Sequence, residues 1–553
     1  MRKRIALLTA VVAAGLALSA CGGGKNGGNT AGDTAETPAV PEGGQQLDVQ
    51  VGPSPETIDP ALNAASDSGN ILIHAFEGLL KFDDKQNIIG GVAESWESSE
   101  DGLTWTFHLR PDLKWSDGSA LTANDFVYSW KRVADPATAA PYGYDLMNMI
   151  VGFDEAAAGE VDKLGVEAPD ESTFVVHLSA PCIYFDKIAA FVVMSPVQQA
   201  TVEANGEGWT TDPATYISNG PYRMTEFTDG SQIVLEKNPY YWDAEHITFD
   251  RIVWHLIEDA NTSYTAYNQG EIDMIKDVPT EEIASLRDNP EFHTQAKMST
   301  SFMVFNTQKA PFDNPKVREA LSLAADRKYL AETVLQGISS PAENFVGPGV
   351  SDAAPSSSFA EVTIKKYGKH FDVDNYEANL EKAKALLAEA GYPNGEGFPA
   401  FSYLTNDAGA NMAIAEYLQS AWAELGVTCT INVQEWKTMS ADRRNGNFDV
   451  ARHGWSLDWD DPSNLINLLE TGNGNNDGRY SNPEFDKLVQ EARDTVDVEK
   501  HYDLLHQAEQ LILNDAAVMP VVYSNEYWLM KENVKGTWYS PYGYWYFMYG
   551  TKE

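Results

Sequence analysis

The sequence predicts a mixed α/β (α+β) fold with several sheets. Three observations predict it: short segments of period-two apolar alternation, longer segments with apolar residues at helix spacing, and the mixing of the two along the whole body. Residues 47–51 alternate as a strand and stop at Gly52-Pro53. Residues 105–109 repeat the pattern and close on Arg110-Pro111, and Trp115-Ser116-Asp117-Gly118 reads as a turn. Thr122 is placed to cap a helix containing Asp125, Val127 and Trp130. A strand follows at 232–236, and a helix over 264–272 is expected to stop at Gly270. Residues 315–325 open with a proline suited to a first helical turn and carry Val317, Ala320, Leu321 and Ala324 at helix spacing. Over 376–390, Leu380, Ala383, Leu386 and Leu387 share one helical face, and Gly391 ends it. A helix over 410–425 stops at Gly426, and a strand over 429–433 follows. The last elements are a helix over 501–513 and a strand over 518–523. No internal repeat is visible. The Pro-, Ser- and Gly-rich stretch 347–358 marks a loop long enough to suggest a functional one.

The N-terminus reads as a sorting signal. Residues 1–4 carry three positive charges, and the apolar run 5–16 is too short for a comfortable membrane span. Leu18-Ser19-Ala20-Cys21 then looks like a lipobox. This predicts a signal peptide over 1–20 and a lipid attached to the Cys21 thiol, with several acyl chains needed for stable anchoring. Residues 21–45 are rich in small and polar residues, too apolar-poor to order themselves, and read as a flexible tether. The body starts near Gln46 and is expected outside the cytoplasm.

A formal charge of −42 argues against nucleic acid, whose phosphates demand basic faces. The 14 Trp and 25 Tyr exceed what a core requires and suit surfaces half apolar and half wet. Besides Cys21 there are Cys182 and Cys429, which could form one disulfide or remain two buried thiols. No Cys/His cluster has zinc spacing, and the HExxH, P-loop, GxSxG and GxGxxG patterns are absent, so neither cofactor nor metal is expected. The most informative segment is Arg452-His453-Gly454-Trp455-Ser456-Leu457-Asp458-Trp459. Two readings stand. It is a strand and polar loop in which Arg452 and Asp458 pair, or it is a site where Asp458 holds an ammonium and Arg452 a carboxylate.

The run Ala93-Glu94-Ser95-Trp96, residues 101–110, Lys114-Trp115-Ser116-Asp117-Gly118 and residues 122–132 resemble the peptide- and nickel-binding family of bacterial extracellular solute-binding proteins (family 5), the receptors of ABC importers. Its oligopeptide-binding members fit further: Ser218-Asn219-Gly220-Pro221-Tyr222, residues 236–242, Gly270-Glu271-Ile272-Asp273-Met274, residues 317–321, residues 386–392, Gln434-Glu435-Trp436-Lys437-Thr438 and Phe448-Asp449-Val450-Ala451-Arg452. The resemblance covers about residues 46–550.

It implies a two-lobed, periplasmic-binding-protein-like clamp (type II, class C). Lobe I would comprise 46–305, with an inserted subdomain at about 77–205, and 523–553 returning to it. Lobe II would be 306–522, and two crossover strands would form the hinge. The implied function is a monomeric, non-enzymatic receptor that closes on short peptides and delivers them to ABC permease subunits. By resemblance, Asp458 receives the ligand ammonium, while Arg452 and Arg443 meet its carboxylate. Trp436 and Trp455 would wall side-chain pockets, Asn63, Ala64, Ala65 and Ser66 would pair with ligand backbone, and Tyr523 and Tyr142 would lie near the cleft. Two departures stand out. Asn411 occupies the place where some relatives use a histidine for the ligand carboxylate. Ser456 or Leu457 replaces a cysteine, so the relatives' disulfide is absent. Open alternatives are another solute (a nickel chelate, a sugar, haem) and a peptide-sensing lipoprotein that feeds no transporter. A hydrolase would need a nucleophile–base constellation not found here.

Overall fold

The structure is a computed structural model that describes residues 44–279, 281–354, 356–406 and 410–553. The leader, Cys21 and nearly all of the tether lie outside the described residues. Burial of apolar side chains, the main favourable term in folding, divides the body into two large cores. One is drawn from residues 47–274 and 528–548, the other from 298–522. A small third cluster contains Tyr267, Ile272, Ile275, Val278, Ile283, Leu286 and Leu529.

One 11-stranded sheet runs through both large cores. From the second core it passes through Cys429–Val433, Phe401–Thr405, Val450–Ser456, Phe292–Phe305 and Val518–Met530. It continues through Met274–Ile275, Gln46–Gln50, Arg251–His255, Gln232–Lys237 and Tyr222–Thr228. Ser339–Pro341 pairs beside Val518–Met530. The two strands that join the cores are unusually long, 14 and 13 residues. Their antiparallel ladder runs from Phe292 to Ala296 and from Thr300 to Val304, with register shifts between Ala296 and Thr300 and between Ser301 and Phe302. Such an irregularity bends and twists a strand pair, so the ladder is weakest where one core gives way to the other.

A separate four-stranded sheet, Ala93–Ser98, Thr104–Leu109, Thr173–His177 and Val166–Asp170, belongs to the first core. The helix Ala123–Ala134 covers it. Thr122 and Asp125 form a capping box, with the Thr122 N–H donating to Asp125 Oδ2 at 2.8 Å. Phe126, Trp130 and Val133 are buried, and the Trp130 indole donates to the Met194 carbonyl at 3.0 Å.

Several elements exceed their sequence-predicted bounds. The helix expected over 264–272 is Ala260–Gln269. It begins earlier because the Asp259 carboxylate accepts from the Thr262 N–H at 2.8 Å, an N-cap the apolar pattern does not reveal. The strand expected over 518–523 continues to Met530. Of the two cysteine alternatives the structure shows free thiols, each buried in a different core. Among the described residues no helix is long and apolar enough to cross a membrane.

One buried carboxyl ties the second core to the cleft floor. Glu509, fully buried on the helix Val498–Asn514, accepts from the N–H groups of Phe345 at 3.1 Å and Val346 at 2.7 Å. The Phe345 carbonyl in turn accepts from the Thr300 hydroxyl at 2.9 Å. Burial pushes the Glu509 carboxyl up to about 7, against an ordinary 4.5, although the hydrogen bonds from Val346, Thr363 and Phe345 oppose it. A carboxyl raised in the folded chain holds its proton more tightly there than when unfolded. Its stabilising contribution is therefore full below the unfolded value and lost as pH rises through 7. Glu509→Gln keeps an oxygen for both N–H groups and cannot ionise. We expect its stability relative to the parent to rise between pH 5 and pH 8, by on the order of 3 kcal/mol. Thermal melts at the two pH values check this; equal shifts would refute it.

Candidate functional site

The strand Val450–Ser456 pairs with Ser299–Phe305 on the second-core side of the sheet. Alternation places Arg452, Gly454 and Ser456 on one face. That face lines a cavity of about 330 Å³, together with Ser299, Ser301, Asn411, Trp455 and Ser524. Arg452 Nε donates to Asn411 Oδ1 at 3.0 Å, and its guanidinium lies 5.5 Å from the centre of the Trp436 ring. Among the described residues no carboxylate pairs with it. Burial lowers its pKa, and the like charge of Arg443 pushes the same way.

Arg443 sits behind Arg452 on the helix Trp436–Arg444 and is 6% exposed. Its Nε donates to Asp477 Oδ2 at 2.6 Å, and a second nitrogen donates to the Arg452 carbonyl at 3.0 Å. Asp477 also meets the His453 ring at 3.4 Å. The charge of Arg443 is thus matched within the protein, and that of Arg452 is not. Trp436 is half exposed, with both guanidiniums near its ring.

Asp458 follows in the loop after the strand. It does not pair with Arg452, so the strand-and-loop reading of this segment is right locally and its ion pair is not formed. The Tyr142 hydroxyl, carried by the first core, donates to Asp458 Oδ1 at 3.1 Å. Asn464 Nδ2 stands 3.5 Å from Oδ2, and Asn464 Oδ1 accepts from the Asp458 N–H at 3.1 Å and from the Trp455 indole at 2.8 Å. No cation among the described residues pairs with Asp458. Burial pushes its carboxyl up to about 6, against the smaller pull of the hydrogen bonds from Tyr142 and Asn464.

The remaining expected residues divide. Asn63 is buried, and its Oδ1 accepts from the Ser68 hydroxyl at 2.7 Å. Ala64 and Ala65 are exposed, and Ser66 opens the helix Ser66–Ala75. Tyr523 is buried, and its hydroxyl is committed to backbone: it accepts from the Asn344 N–H at 3.0 Å and donates to the Asn344 carbonyl at 2.9 Å. Sequence reasoning missed Asn464, which joins Trp455 to Asp458. The Asp461-Pro462-Ser463-Asn464 stretch signals a helix start, but nothing local signals that link.

Chemically, the arrangement offers one anionic and one cationic group, both half withdrawn from water and both without a counter-charge. Residues 87–477 match the profile of a family described as Bacterial extracellular solute-binding proteins, family 5 Middle. Among curated proteins, the chain is 36% identical over 509 residues to the periplasmic oligopeptide-binding protein OppA of Salmonella typhimurium, covering 90% of this chain and 91% of that one. It is 32% identical over 546 residues to the oligopeptide-binding protein OppA of Bacillus subtilis, covering 97% of each. Among solved structures, MppA, a periplasmic murein tripeptide-binding protein in its unliganded open form, matches with a TM-score of 0.80, 31% identity and coverage of 92% of this chain and 97% of that one. A second structure of MppA, from Escherichia coli, scores 0.71 at 30% identity, covering 92% of this chain and 98% of that one. The Haemophilus influenzae OppA complex with RPPGFSPFR scores 0.70 at 31% identity, covering 92% of this chain and 99% of that one. A profile match across 87–477 and relatives aligned almost end to end place this chain among the bacterial extracellular solute-binding proteins of family 5.

Proposed function

We propose that this protein is a lipid-anchored receptor that captures short peptides between its lobes and hands them to the permease of an ABC importer. The observation that carries the reading is the pair of uncompensated charges, Asp458 and Arg452, on one strand and its following loop. A peptide is a zwitterion, and it supplies both missing counter-charges at once. Isolated, desolvated charges are costly, and a partner that pairs and hydrogen-bonds them recovers that cost. Six residues of strand and loop span at most about 20 Å. This separation suits an extended peptide of a few residues. Ala64, exposed just before the helix Ser66–Ala75, is suited to pair its backbone with such a ligand, and Trp436 and Trp455 to wall its side chains; the Ala65 carbonyl is already taken by the Gly69 N–H. Arg443 acts here through Arg452, whose backbone it holds. Relatives named as oligopeptide-binding proteins support the ligand class. The lipobox supports anchoring through Cys21.

Asp458→Ala should weaken binding of a free-amine tripeptide by about 2–5 kcal/mol, the usual cost of truncating one partner of a buried pair. Titration calorimetry reads this directly, and an unchanged affinity would remove Asp458 from the site. The same titrations should be pH-dependent. In the free receptor Asp458 titrates at about 6, whereas a bound ammonium holds it ionised. Binding below that pH must expel a proton, so affinity should fall about tenfold for each pH unit below 6 and level off above it. A flat profile between pH 5 and 7.5 would count against an ionised Asp458 in the complex. For the anchor, Cys21→Ser should move the protein from the detergent phase to the aqueous phase on phase partitioning. Equal partitioning of both forms would reject lipidation at Cys21.

A further inference from the structure

Asp458 stands where the two cores come within one residue of each other. Leu457, before it, is buried in the second core and donates its N–H to the Met298 carbonyl at 2.8 Å. Trp459, after it, packs against the first core, its ring stacked on Tyr184 with centroids 5.8 Å apart and planes 9° apart. Tyr184 leads into the short helix Phe185–Ala189, which Phe185 and Ile188 bury in the first core. From that helix Lys187 reaches across to the loop. Its Nζ donates to the Asp460 carbonyl, lies 3.6 Å from the Asp460 carboxylate and 3.3 Å from the Tyr502 hydroxyl, and its side chain is 16% exposed. Asp460 is itself a junction. Its N–H donates to the Tyr542 hydroxyl at 2.8 Å, and its carboxylate accepts from the Ser351 N–H at 2.6 Å and from the Ser351 hydroxyl.

We infer that Lys187 is a positioning residue for the ammonium site: bridging from the first core to Asp460, it fixes the loop that presents the Asp458 carboxylate to a ligand. The inference rests on the ammonium reading of Asp458. A carboxylate two residues from a clamped junction keeps its direction before ligand arrives, so less ordering remains to be done on binding. If Lys187 served only to hold the lobes together, its loss would weaken every ligand alike. As a positioning residue it discriminates between ligands that have the ammonium and ligands that lack it.

The test is calorimetry at pH 7.5 with a free-amine tripeptide and its N-acetylated counterpart, on the full chain and three variants. Lys187→Met should cut the preference for the free amine about tenfold, or about 1.4 kcal/mol, while affinity for the acetylated peptide stays unchanged. Lys187→Arg, which keeps the charge and the donors, should restore the preference. Equal weakening of both peptides, or no weakening of either, overturns the inference. Asp458→Asn separates the two layers of the argument. If it abolishes the preference and Lys187→Met does not reduce it, only the positioning role fails. If it leaves the preference intact, the ammonium reading falls and the inference falls with it. Should Lys187→Met not fold, Lys187→Gln takes its place with the same expected outcome.

Discussion

The cleft depends on leaving two charges unmatched. Several other buried or half-buried charges are matched within the fold. Arg132 meets Asp59 through two nitrogens at 2.9 and 2.6 Å, Arg443 meets Asp477, and His501 meets Asp461. Arg327 shows that a missing carboxylate is not by itself a sign of function. It is fully buried without an ion pair, but its donors reach the carbonyls of Pro520 and Ser322, and its guanidinium stacks on the Phe371 ring at 3.5 Å. Its hydrogen-bonding capacity is met inside the fold. Arg452 differs in kind: one donor bond to a neutral amide, an open cavity beside it, and a second cation behind it. That contrast, more than charge or burial alone, sets Arg452 and Asp458 apart and is what the proposed function builds on.

The second constraint is mechanical. A sheet passes from one core into the other through two long strands, and the register shift between Ala296 and Thr300 interrupts their ladder where the cores meet. Cleft residues gather at the same latitude. Thr300, Ser301 and Ser524 lie on the joining strands, Arg452 to Ser456 on the strand beside them. Under the proposed function, bending at this joint would change what faces the ligand, and a ligand contacting both sides would bias the bend by its differential affinity for the two settings.

Much of this was legible in the sequence wherever signals are local. The strand 429–433 was read to the residue, and the Thr122 cap with its Asp125 partner is a short-range chemical rule. The resemblance supplied the two-domain fold and the candidate site residues that the proposed function uses. What stayed hidden depends on distant partners. Phe292–Phe305 carries His293, Thr294, Gln295 and Lys297 in its first half, which blurs the apolar alternation that announces a strand. It is a strand because residues 518–530, more than two hundred positions later, lie alongside. In the same way nothing near Arg443 predicts that Asp477 neutralises it, and nothing near Asp458 predicts Tyr142, 316 residues away.

The identity of that distant partner matters to how the site works. A lysine at position 142 would satisfy Asp458 fully and would have to be displaced, charge for charge, before any ligand ammonium could bind. A tyrosine hydroxyl gives the carboxylate one hydrogen bond from a neutral donor and leaves its charge uncompensated. The contact at 3.1 Å joins a residue of the first core to the loop that follows Val450–Ser456, and it puts no second charge beside the carboxylate. Under the proposed function an arriving ammonium would share the carboxylate with Tyr142, since a carboxylate accepts from several donors at once. The neutral donor thus orients the anion and keeps its affinity for a cation in reserve, which a charged partner in the same place could not do.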